Sequence, residues 1–269
     1  MHLEETKSDV SLNELESQVS RLITRALSTY HMIEPHDRVL VAVSGGKDSA
    51  VLLYMLGQIQ KKAPYPFSLQ PVLLDQKQPG FQVRDFSLWV KETMGQELIV
   101  LEEDTYSIVK EKTKEGKTYC GLCSRLRRGI LYTYAKNQGF QKIALGHHRE
   151  DLNTTFLMNL FFGGSVSSMP PKLLSEDAQN VVIRPLSLCS ESSIAALAQK
   201  LQVPVIPCNL CGSQENLQRK KMAKLIEDLE KTNPTVRSSL LGAQSNLKPN
   251  LMADSFFFDF KELKPRRDL

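Results

Sequence analysis

Apolar positions in the first part of the chain recur at helical spacing, and further along they form short continuous runs. From Ser11 to Ile33 an apolar side chain returns every three to four residues, which predicts an amphipathic helix. Ser11 and Glu14 stand three apart at its start, as in a capping box, where each side chain accepts from a backbone N–H of the other. Beyond this helix, strand-like and helix-like segments alternate.

The alternation predicts an α/β fold. Runs rich in Val, Ile and Leu predict strands at Arg38–Ser44, Leu69–Leu74, Glu97–Glu102, Lys142–Gly146 and Val181–Leu186. Helical patterns between them lie at Asp48–Lys61, Gln82–Met94, Ser124–Asn137, Asp151–Phe162 and Ser190–Leu201. Nearly continuous apolar strands are buried on both sides, so we expect a parallel sheet with helices on both faces.

The same pattern divides the chain into a central domain and two helical extensions. We predict an N-terminal helical extension at 1–35, an α/β domain at 36–213 and a basic helical C-terminal extension at 214–269, packed on the same domain. The last segment contains the aromatic run Phe256–Phe258 and Phe260. We expect this run to dock the C-terminal segment onto the core, with stacking on nucleic-acid bases as the alternative.

Composition and charge limit the compartments and the kinds of partner that the sequence is compatible with. The chain has 269 residues, 41% of them hydrophobic, but no apolar run approaches the roughly 20 residues that span a bilayer. The N-terminus is polar, unlike a signal peptide, so we expect a cytoplasmic protein without a membrane partner. The net charge of +4 permits a nucleic-acid partner where basic residues cluster. Such clusters occur at Arg125, Arg127, Arg128 and at Arg219, Lys220, Lys221.

The first predicted strand ends in a glycine turn that precedes a helix, in the segment VLVAVSGGKDSAVLLYML. A helix N-terminus at the carboxyl edge of a sheet favours anions, and glycines let backbone N–H groups approach a phosphate. The segment is not a Walker A loop, because Val41 and Asp48 occupy positions that this motif reserves for Gly and for Ser or Thr. The predicted phosphate-binding residues are Ser44, Gly45, Gly46, Lys47, Asp48 and Ser49.

A second strand–turn–helix segment, ALGHHREDLNTTFLMNLFFGG, carries polar residues to the same sheet edge. Gly146 would let the chain pass close to a nucleotide. A carboxylate beside a triphosphate requires a cation, so Asp151 is a candidate Mg²⁺ ligand together with Asp48. The alternative for Asp151 is a helix N-cap, and for His147 and His148 it is ordinary turn polarity.

Four of the five cysteines form two CxxC pairs, Cys120 with Cys123 and Cys208 with Cys211. Two distant pairs are typical of a Cys₄ zinc site. They also suit an iron–sulfur cluster, and a CxxC pair at a helix start suits disulfide exchange. The spacing alone leaves these three alternatives open. Cys189 stands outside both pairs.

These motifs resemble known families. SGGKDS after a strand resembles the PP-loop of the ATP pyrophosphatases, which implies an adenine nucleotide alpha hydrolase-like fold, ATP bound by its terminal phosphates and reaction at the α-phosphate. GKTYCGLCSRLRRGILYTYAKNQ and the segment GHHREDLNTTF, with MPPKLL, IRPLSL and VIPCNLCGSQENLQR, are similar to the TtcA family, which thiolates cytidine 32 of tRNA. The resemblance runs from about Arg38 to Phe260.

The resemblance implies a [4Fe–4S] cluster with three cysteine ligands and one open iron. By motif these ligands are Cys120, Cys123 and Cys211, while Cys208 is an alternative ligand or a persulfide site. Arg127, one turn after Cys123, would reach the α-phosphate.

Together with Arg127, Asp48 and Asp151 are the implied catalytic residues. The implied cofactors besides the cluster are ATP and Mg²⁺. The resemblance also implies three partners: the tRNA anticodon stem-loop, a cysteine desulfurase as sulfur donor and a second copy in a homodimer.

Two other hypotheses remain open. One is another PP-loop tRNA-modifying enzyme, a uridine thiolase or a ligase, with a structural zinc Cys₄ site. The family relatives that thiolate uridine carry further zinc-knuckle cysteines, which this chain lacks. The other is a non-catalytic tRNA-binding module that holds ATP as a structural ligand.

Overall fold

A computed structural model of the chain describes residues 10–112, 120–206 and 214–264. In the described part, α1 Leu12–Thr29 begins at the predicted capping box. The Ser11 backbone N–H donates to Glu14 Oε2 at 2.9 Å, and the Glu14 N–H donates to Ser11 Oγ at 3.3 Å. None of the described helices combines the length and the apolar character that crossing a membrane requires.

The central elements follow the predicted alternation. The strands are β1 Arg38–Val43, β2 Ser68–Asp75, β3 Ile99–Glu102, β4 Lys142–Ala144, β5 Lys172–Leu174 and β6 Val181–Ile183. The helices after α1 are α2 Lys47–Gln60, α3 Arg84–Met94, α4 Thr105–Lys112, α5 Cys120–Asn137, α6 Arg149–Met158, α7 Glu191–Lys200, α8 Gln214–Glu230 and α9 Val236–Ala243.

The strands form one six-stranded sheet in the order β3-β2-β1-β4-β6-β5. All neighbours are parallel except β5, which pairs antiparallel with β6 at the edge. The prediction of a parallel sheet is therefore confirmed for the five predicted strands. The short edge strand β5 was not predicted. Its run of three residues in KLLSED is too brief for a clear alternation of apolar and polar positions.

Alternate residues of the central strands point into two separate apolar clusters. Val39, Val41 and Val43 of β1 belong to the larger cluster, which α1, α2, α3 and α7 cover. Leu40 of the same strand belongs to the cluster under α5, with Leu131 as one partner. Since successive strand residues face opposite sides, both faces of the sheet are buried, as predicted.

Several boundaries differ from the sequence predictions. The predicted strand Val181–Leu186 ends at Ile183 and continues as a 3₁₀ turn at Pro185–Leu188, because proline lacks the N–H that a ladder requires. The helix predicted to end at Phe162 ends at Met158 and passes into one π-helical turn, Asn159–Gly163. Helices α4 and α9 were not predicted.

The C-terminal helices form a third cluster against α6. Leu157 of α6 packs with Met222 and Ile226 of α8 and with Val236 of α9. This packing places α8 beside the turn that follows β4. The division into extensions at 1–35 and 214–269 stays a prediction, although α1 itself belongs to the main core.

The expected docking of the aromatic run is wrong for the described residues. Phe256 is 86% exposed and Phe257 is 65% exposed. The two rings contact each other edge to face at 5.0 Å between centroids. Hydrophobicity alone predicted burial, but these two rings pack against each other and stay exposed.

Candidate functional site

The candidate site lies where the order of the strands reverses. The chain runs outward from β1 to β2 and β3 on one side, and β4 returns to the other side of β1. Open α/β sheets bind ligands in the crevice that such a reversal leaves at the carboxyl ends of the strands. The glycine turn after β1 and the turn after β4 therefore flank one crevice.

The glycine turn leaves backbone donors available at the start of α2. Gly46 is the N-cap residue, and no side chain caps the helix there. Inside the turn, Ser49 Oγ accepts from the Ser44 N–H at 3.0 Å and donates to the Gly46 carbonyl at 3.0 Å. The serines thus hold the shape of the loop, while the first N–H groups of α2 can bind an anion.

Gly45 receives the chain segment that leads to the second cysteine pair. Its φ is +79°, in the left-handed region, and a Cβ there would come within 2.8 Å of Ile206 Cδ1. The Ile206 N–H donates to the Gly45 carbonyl at 2.9 Å. Only glycine suits both the conformation and this contact. Ile206 immediately precedes the segment 207–213, so the described stretch 120–206 ends against the glycine turn.

Gly146 lets the turn after β4 approach the start of α2. A Cβ on this residue would lie 3.0 Å from the Ser49 nitrogen and 3.1 Å from Ser49 Cα. These neighbours are backbone atoms, which cannot move aside as a flexible side chain would. Gly146 thus permits a close approach of two protein segments, while its expected proximity to a nucleotide stays a prediction.

Lys47 lies in the crevice with two carboxylate partners. Its Nζ is 2.9 Å from Asp48 Oδ1 and 3.1 Å from Glu191 Oε1. Burial acts to lower the pKa of Lys47, but these two carboxylates outweigh it and raise the pKa above its ordinary value. Lys47 is therefore a permanent cation next to the free amides of α2.

Asp48 and Asp151 face the same imidazole. His148 Nε2 lies 3.9 Å from Asp48 Oδ1 and 3.4 Å from Asp151 Oδ2. Asp151 Oδ2 also accepts from the His148 backbone N–H at 3.0 Å, but the N-cap residue of α6 is His148 and Asp151 is the third residue of the helix, so Asp151 is not the N-cap. Burial raises the pKa of the Asp151 carboxyl, and the charge of Asp48 adds to that effect while His148 opposes it.

His148 itself is held by a third carboxylate. Its Nδ1 lies 3.4 Å from Glu150 Oε2, and the same oxygen accepts from the Glu191 N–H at 2.8 Å. Burial acts to lower the pKa of His148, but Glu150, Asp151 and Asp48 together raise it. Burial would raise the pKa of Glu150, but hydrogen bonds from His148 and Arg149 dominate and lower it to about 2.

Asp48 and Asp151 suit a cation whose remaining ligands come from other molecules. Among the described residues no group of three or more His, Cys, Asp or Glu side chains is arranged to hold a metal ion. Mg²⁺ at nucleotide sites characteristically uses one or two carboxylates, with phosphate and water oxygens supplying the remainder. Asp48 and Asp151 match that requirement.

The first cysteine pair lies at the carboxyl edge of β2. Cys123 Sγ is 3.1 Å from Oε1 of Gln76, the residue that follows β2, and the same oxygen accepts from Thr105 Oγ1 at 3.1 Å. Cys120 begins α5 one turn earlier, and its side chain is not among those described. Cys208 and Cys211 lie outside the described residues.

Cys189 is separate from this chemistry. It is fully buried in the main core, and burial raises the pKa of its thiol to about 12. A thiol that stays protonated is a poor nucleophile and a poor metal ligand. Cys189, which stands outside both cysteine pairs, is therefore a residue of the core.

The two basic clusters lie on different helices, and one arginine of each lowers the pKa of a residue in the crevice. Arg128 of α5 and Arg219 of α8 both act on the pKa of His147. Arg127 is half-buried on α5, and it makes no hydrogen bond or ion pair with another described residue. Lys220 and Lys221 are exposed on α8.

Sequence reasoning missed several residues of this site. The side chains of Gln76 and Arg184 were missed, although both residues directly follow strands, β2 and β6, and ligands bind beyond the carboxyl ends of strands. Glu191 begins α7, and its contact with Lys47 bridges 144 positions. No local pattern predicts that contact.

Comparisons with known proteins agree with this geometry. A family model described as a PP-loop domain matches residues 14–207. A tRNA-cytidine(32) 2-sulfurtransferase from Marinomonas sp. is 50% identical over 258 residues, which cover 96% of this chain and 92% of that protein. A protein of the same name from Coxiella burnetii is 50% identical over 254 residues, covering 94% of this chain and 99% of that protein.

Among solved structures, the U34-tRNA thiolase NcsA from Methanococcus maripaludis with its [4Fe–4S] cluster has the same fold. The TM-score is 0.70 at 21% identity, over 87% of this chain and 78% of that chain. The family model covers most of the chain, and the relatives named above match nearly all of it at half identity. The chain therefore belongs to the PP-loop family and, within it, to the tRNA-cytidine(32) 2-sulfurtransferases.

Proposed function

We propose that this chain is an ATP-dependent tRNA sulfurtransferase that converts cytidine 32 to 2-thiocytidine. The observation that carries the proposal is the convergence of three groups at one sheet edge. These are the phosphate loop after β1, the carboxylates Asp48 and Asp151, and the Cys123 thiol beside Gln76. The relatives of the same name support the identity of the substrate.

The chemistry must make the C2 oxygen of cytidine a leaving group. In the proposed reaction this oxygen attacks the α-phosphorus of ATP, and pyrophosphate leaves. A sulfur nucleophile then attacks C2, and AMP departs with the former base oxygen. Each step places negative charge on phosphate oxygens, which preorganised donors stabilise.

The loop residues would bind the triphosphate. We assign this role to Ser44, Gly45, Gly46, Lys47 and Ser49, since the free amides of α2 and the Lys47 ammonium lie together. Lys47 already has two carboxylate partners, so phosphate binding would exchange one set of charge pairs for another. Gly146 would keep the turn after β4 close to this loop.

Asp48 and Asp151 would hold Mg²⁺ with phosphate oxygens. The raised pKa of Asp151 is the signature of a carboxylate that burial and a neighbouring negative charge disfavour. A divalent cation would remove that penalty. Arg127 would contact the α-phosphate, which its lack of another described partner supports.

The cysteine part of the proposal assigns a [4Fe–4S] cluster to Cys120, Cys123 and Cys211. Its support is the position of Cys123 at the crevice and the contact of Ile206 with Gly45, which brings the chain to the phosphate loop just before the second pair. When bound, the cluster would supply the sulfur nucleophile. Gln76 would orient the Cys123 sulfur from its buried position.

The direct test is thiolation by purified protein. Anaerobically prepared enzyme is incubated with tRNA, ATP, Mg²⁺ and sulfide, and 2-thiocytidine is measured by mass spectrometry of nucleosides. Cys123→Ala should abolish the product, while Cys189→Ala is the matched control and should retain it. Full activity of Cys123→Ala would exclude the proposed role of this cysteine. Asp48→Ala should impair nucleotide binding.

Metal analysis separates the cluster from a structural zinc site. Iron with acid-labile sulfide and visible absorbance that bleaches in air supports the cluster. A colourless protein with one zinc per chain supports the Cys₄ alternative, in which the cysteines serve the fold alone.

The partners and the compartment are part of the proposal. We propose a cytoplasmic homodimer that binds the anticodon stem-loop and receives sulfur from a cysteine desulfurase. Light scattering after size-exclusion chromatography tests the dimer. Replacement of sulfide by a cysteine desulfurase with cysteine tests the donor.

A further inference from the structure

Arg184 is a buried cation without a carboxylate partner. It directly follows β6 at the carboxyl edge of the sheet and is 7% exposed. Its Nη1 donates to the Pro170 carbonyl at 2.5 Å, and its Nε donates to His147 Nδ1 at 3.2 Å. Among the described residues, no Asp or Glu pairs with this guanidinium. Burial lowers the pKa of Arg184, but an arginine keeps its charge in proteins.

The contact with Arg184 determines which nitrogen of a neutral His147 carries the proton. Because Nδ1 accepts the Arg184 hydrogen bond, the single proton of the neutral imidazole is on Nε2. Burial is the main reason that the pKa of His147 falls to about 3, and the charges of Arg184, Arg219 and Arg128 lower it further. His147 is therefore a neutral N–H donor at physiological pH. No described residue accepts from its Nε2.

Both residues belong to the crevice. Their strands are neighbours, since Ala144 of β4 pairs with Ile183 of β6, and the Leu145 N–H donates to the Ile183 carbonyl at 2.9 Å. His147 follows Gly146, whose α-carbon passes against the backbone of Ser49. The pair thus lies beside the start of α2 and the proposed phosphate-binding amides.

We propose that Arg184 and His147 form a second oxyanion site, which binds a phosphate group separately from the glycine turn after β1. An unpaired buried cation is costly unless a ligand supplies the opposite charge. A guanidinium and a neutral imidazole N–H together offer donors suited to phosphate oxygens. The source is either a backbone phosphate of the RNA or a phosphate of the nucleotide, so this inference rests on the substrates of the proposed function.

The test measures the two sources separately. Binding of a non-hydrolysable ATP analogue is followed by calorimetry, and binding of a fluorescent anticodon stem-loop RNA by anisotropy. Arg184→Gln should weaken one of the two by about tenfold or more, as expected when a charge-assisted hydrogen bond is removed. If the RNA supplies the phosphate, the dependence of log K on log salt should also become less steep by about 0.7 to 0.9.

Matched variants keep the test decisive. Arg38→Gln removes the same charge at the opposite, amino end of β1 and should change neither affinity. His147→Phe removes the N–H donor, while His147→Gln restores one, so only the first should reproduce the weaker binding. Nitrogen NMR of the imidazole should report the Nε2–H tautomer in the native chain. If Arg184→Gln does not fold, the two His147 variants decide the question.

Unchanged affinity for both ligands in folded Arg184→Gln and His147→Phe would overturn the inference. A different tautomer of His147 would also overturn it. Neither binding assay requires thiolation or a cluster. Loss of binding in a protein that makes no 2-thiocytidine would therefore contradict the proposed function and leave the oxyanion site standing.

Discussion

At the scale of single residues, the site depends on glycines that allow segments to touch. Gly45 combines a positive φ with the Ile206 contact, and Gly146 combines an ordinary φ with backbone neighbours. Both conditions involve residues far away in the sequence. The sequence shows both glycines, but it does not show the distant residues whose contacts make glycine necessary.

We predict that Gly146→Ala weakens nucleotide binding and lowers the free energy of unfolding by about 1 to 3 kcal/mol, because the new methyl group overpacks the contact with Ser49. Calorimetry with an ATP analogue and urea denaturation measure the two effects. Gly242→Ala is the control, since a Cβ there would have no neighbour within 4 Å. Equal behaviour of the two variants would contradict the role given to Gly146.

At the scale of elements, the turn after β4 connects three helices through Glu150. This carboxylate belongs to α6, accepts from the first backbone N–H of α7 at 2.8 Å and lies 3.8 Å from Arg237 Nη1 of α9. It also lies 3.4 Å from His148 Nδ1. The arrangement links the cation site to the packing of the C-terminal helices.

Glu150→Gln should therefore change the acid stability. The folded-state pKa of about 2 lies below the ordinary 4.5, so the charged carboxylate contributes stability above about pH 4.5 that is lost as the pH falls through 2. We expect a loss of about 2 to 3 kcal/mol at neutral pH, and a flatter decline between pH 5 and 2 than in the native chain. Urea unfolding across this range measures both.

The contribution of His148 to stability depends on pH in the opposite direction. Its pKa is raised above 6.5, so its stabilising contribution is complete below that value and is lost as the pH rises through the folded-state pKa. A native profile with no change in slope on either side would contradict both assignments.

The C-terminal helices depend on a small apolar cluster. Ile226 is 1% exposed and packs with Leu157, Met222 and Val236. Ile226→Ala should cost about 2 to 5 kcal/mol, while Leu229→Ala, at a position 45% exposed, should cost below about 1 kcal/mol. Urea denaturation curves measure the free energy of unfolding of both variants. Similar losses would mean that α8 does not depend on this cluster.

At the scale of the whole molecule, the two basic clusters come together only in the fold. Residues 125–128 and 219–221 lie on α5 and α8, and one arginine of each helix lowers the pKa of His147. Phosphate contacts supply affinity for nucleic acid that declines with salt. The crevice with its rim is thus the expected face for the RNA.

The double variant Lys220→Ala with Lys221→Ala should weaken RNA binding and reduce the salt slope by about 0.7 to 0.9 for each RNA phosphate that these lysines neutralise. The matched control is Lys61→Ala with Lys62→Ala. It removes the same charge at the far end of α2, away from the crevice. Anisotropy titrations at several salt concentrations measure the RNA affinity and the salt slope of both double variants. Equal slopes for the two double variants would place the RNA elsewhere.

The α/β class, the five main strands and the glycine turn after β1 could be predicted from the sequence, because apolar periodicity and a glycine turn are local signals. The antiparallel strand β5 and the exposed aromatic run could not be. In both cases the outcome depends on which surface is available after the other elements have packed. The same limit applied to Glu191, whose contact with Lys47 closes a long loop.

The amino-acid sequence by itself determined the order of the elements, the glycine turn after β1 and the presence of two cysteine pairs. These follow from hydrogen-bonding groups and apolar spacing within a few residues. The tertiary structure alone decided that Cys123 lies at Gln76, that Ile206 lies on Gly45 and that Arg184 donates to His147. Such contacts depend on the order of the strands and on burial. The strand order brings distant residues into steric contact, and burial strengthens the electrostatic interactions between them.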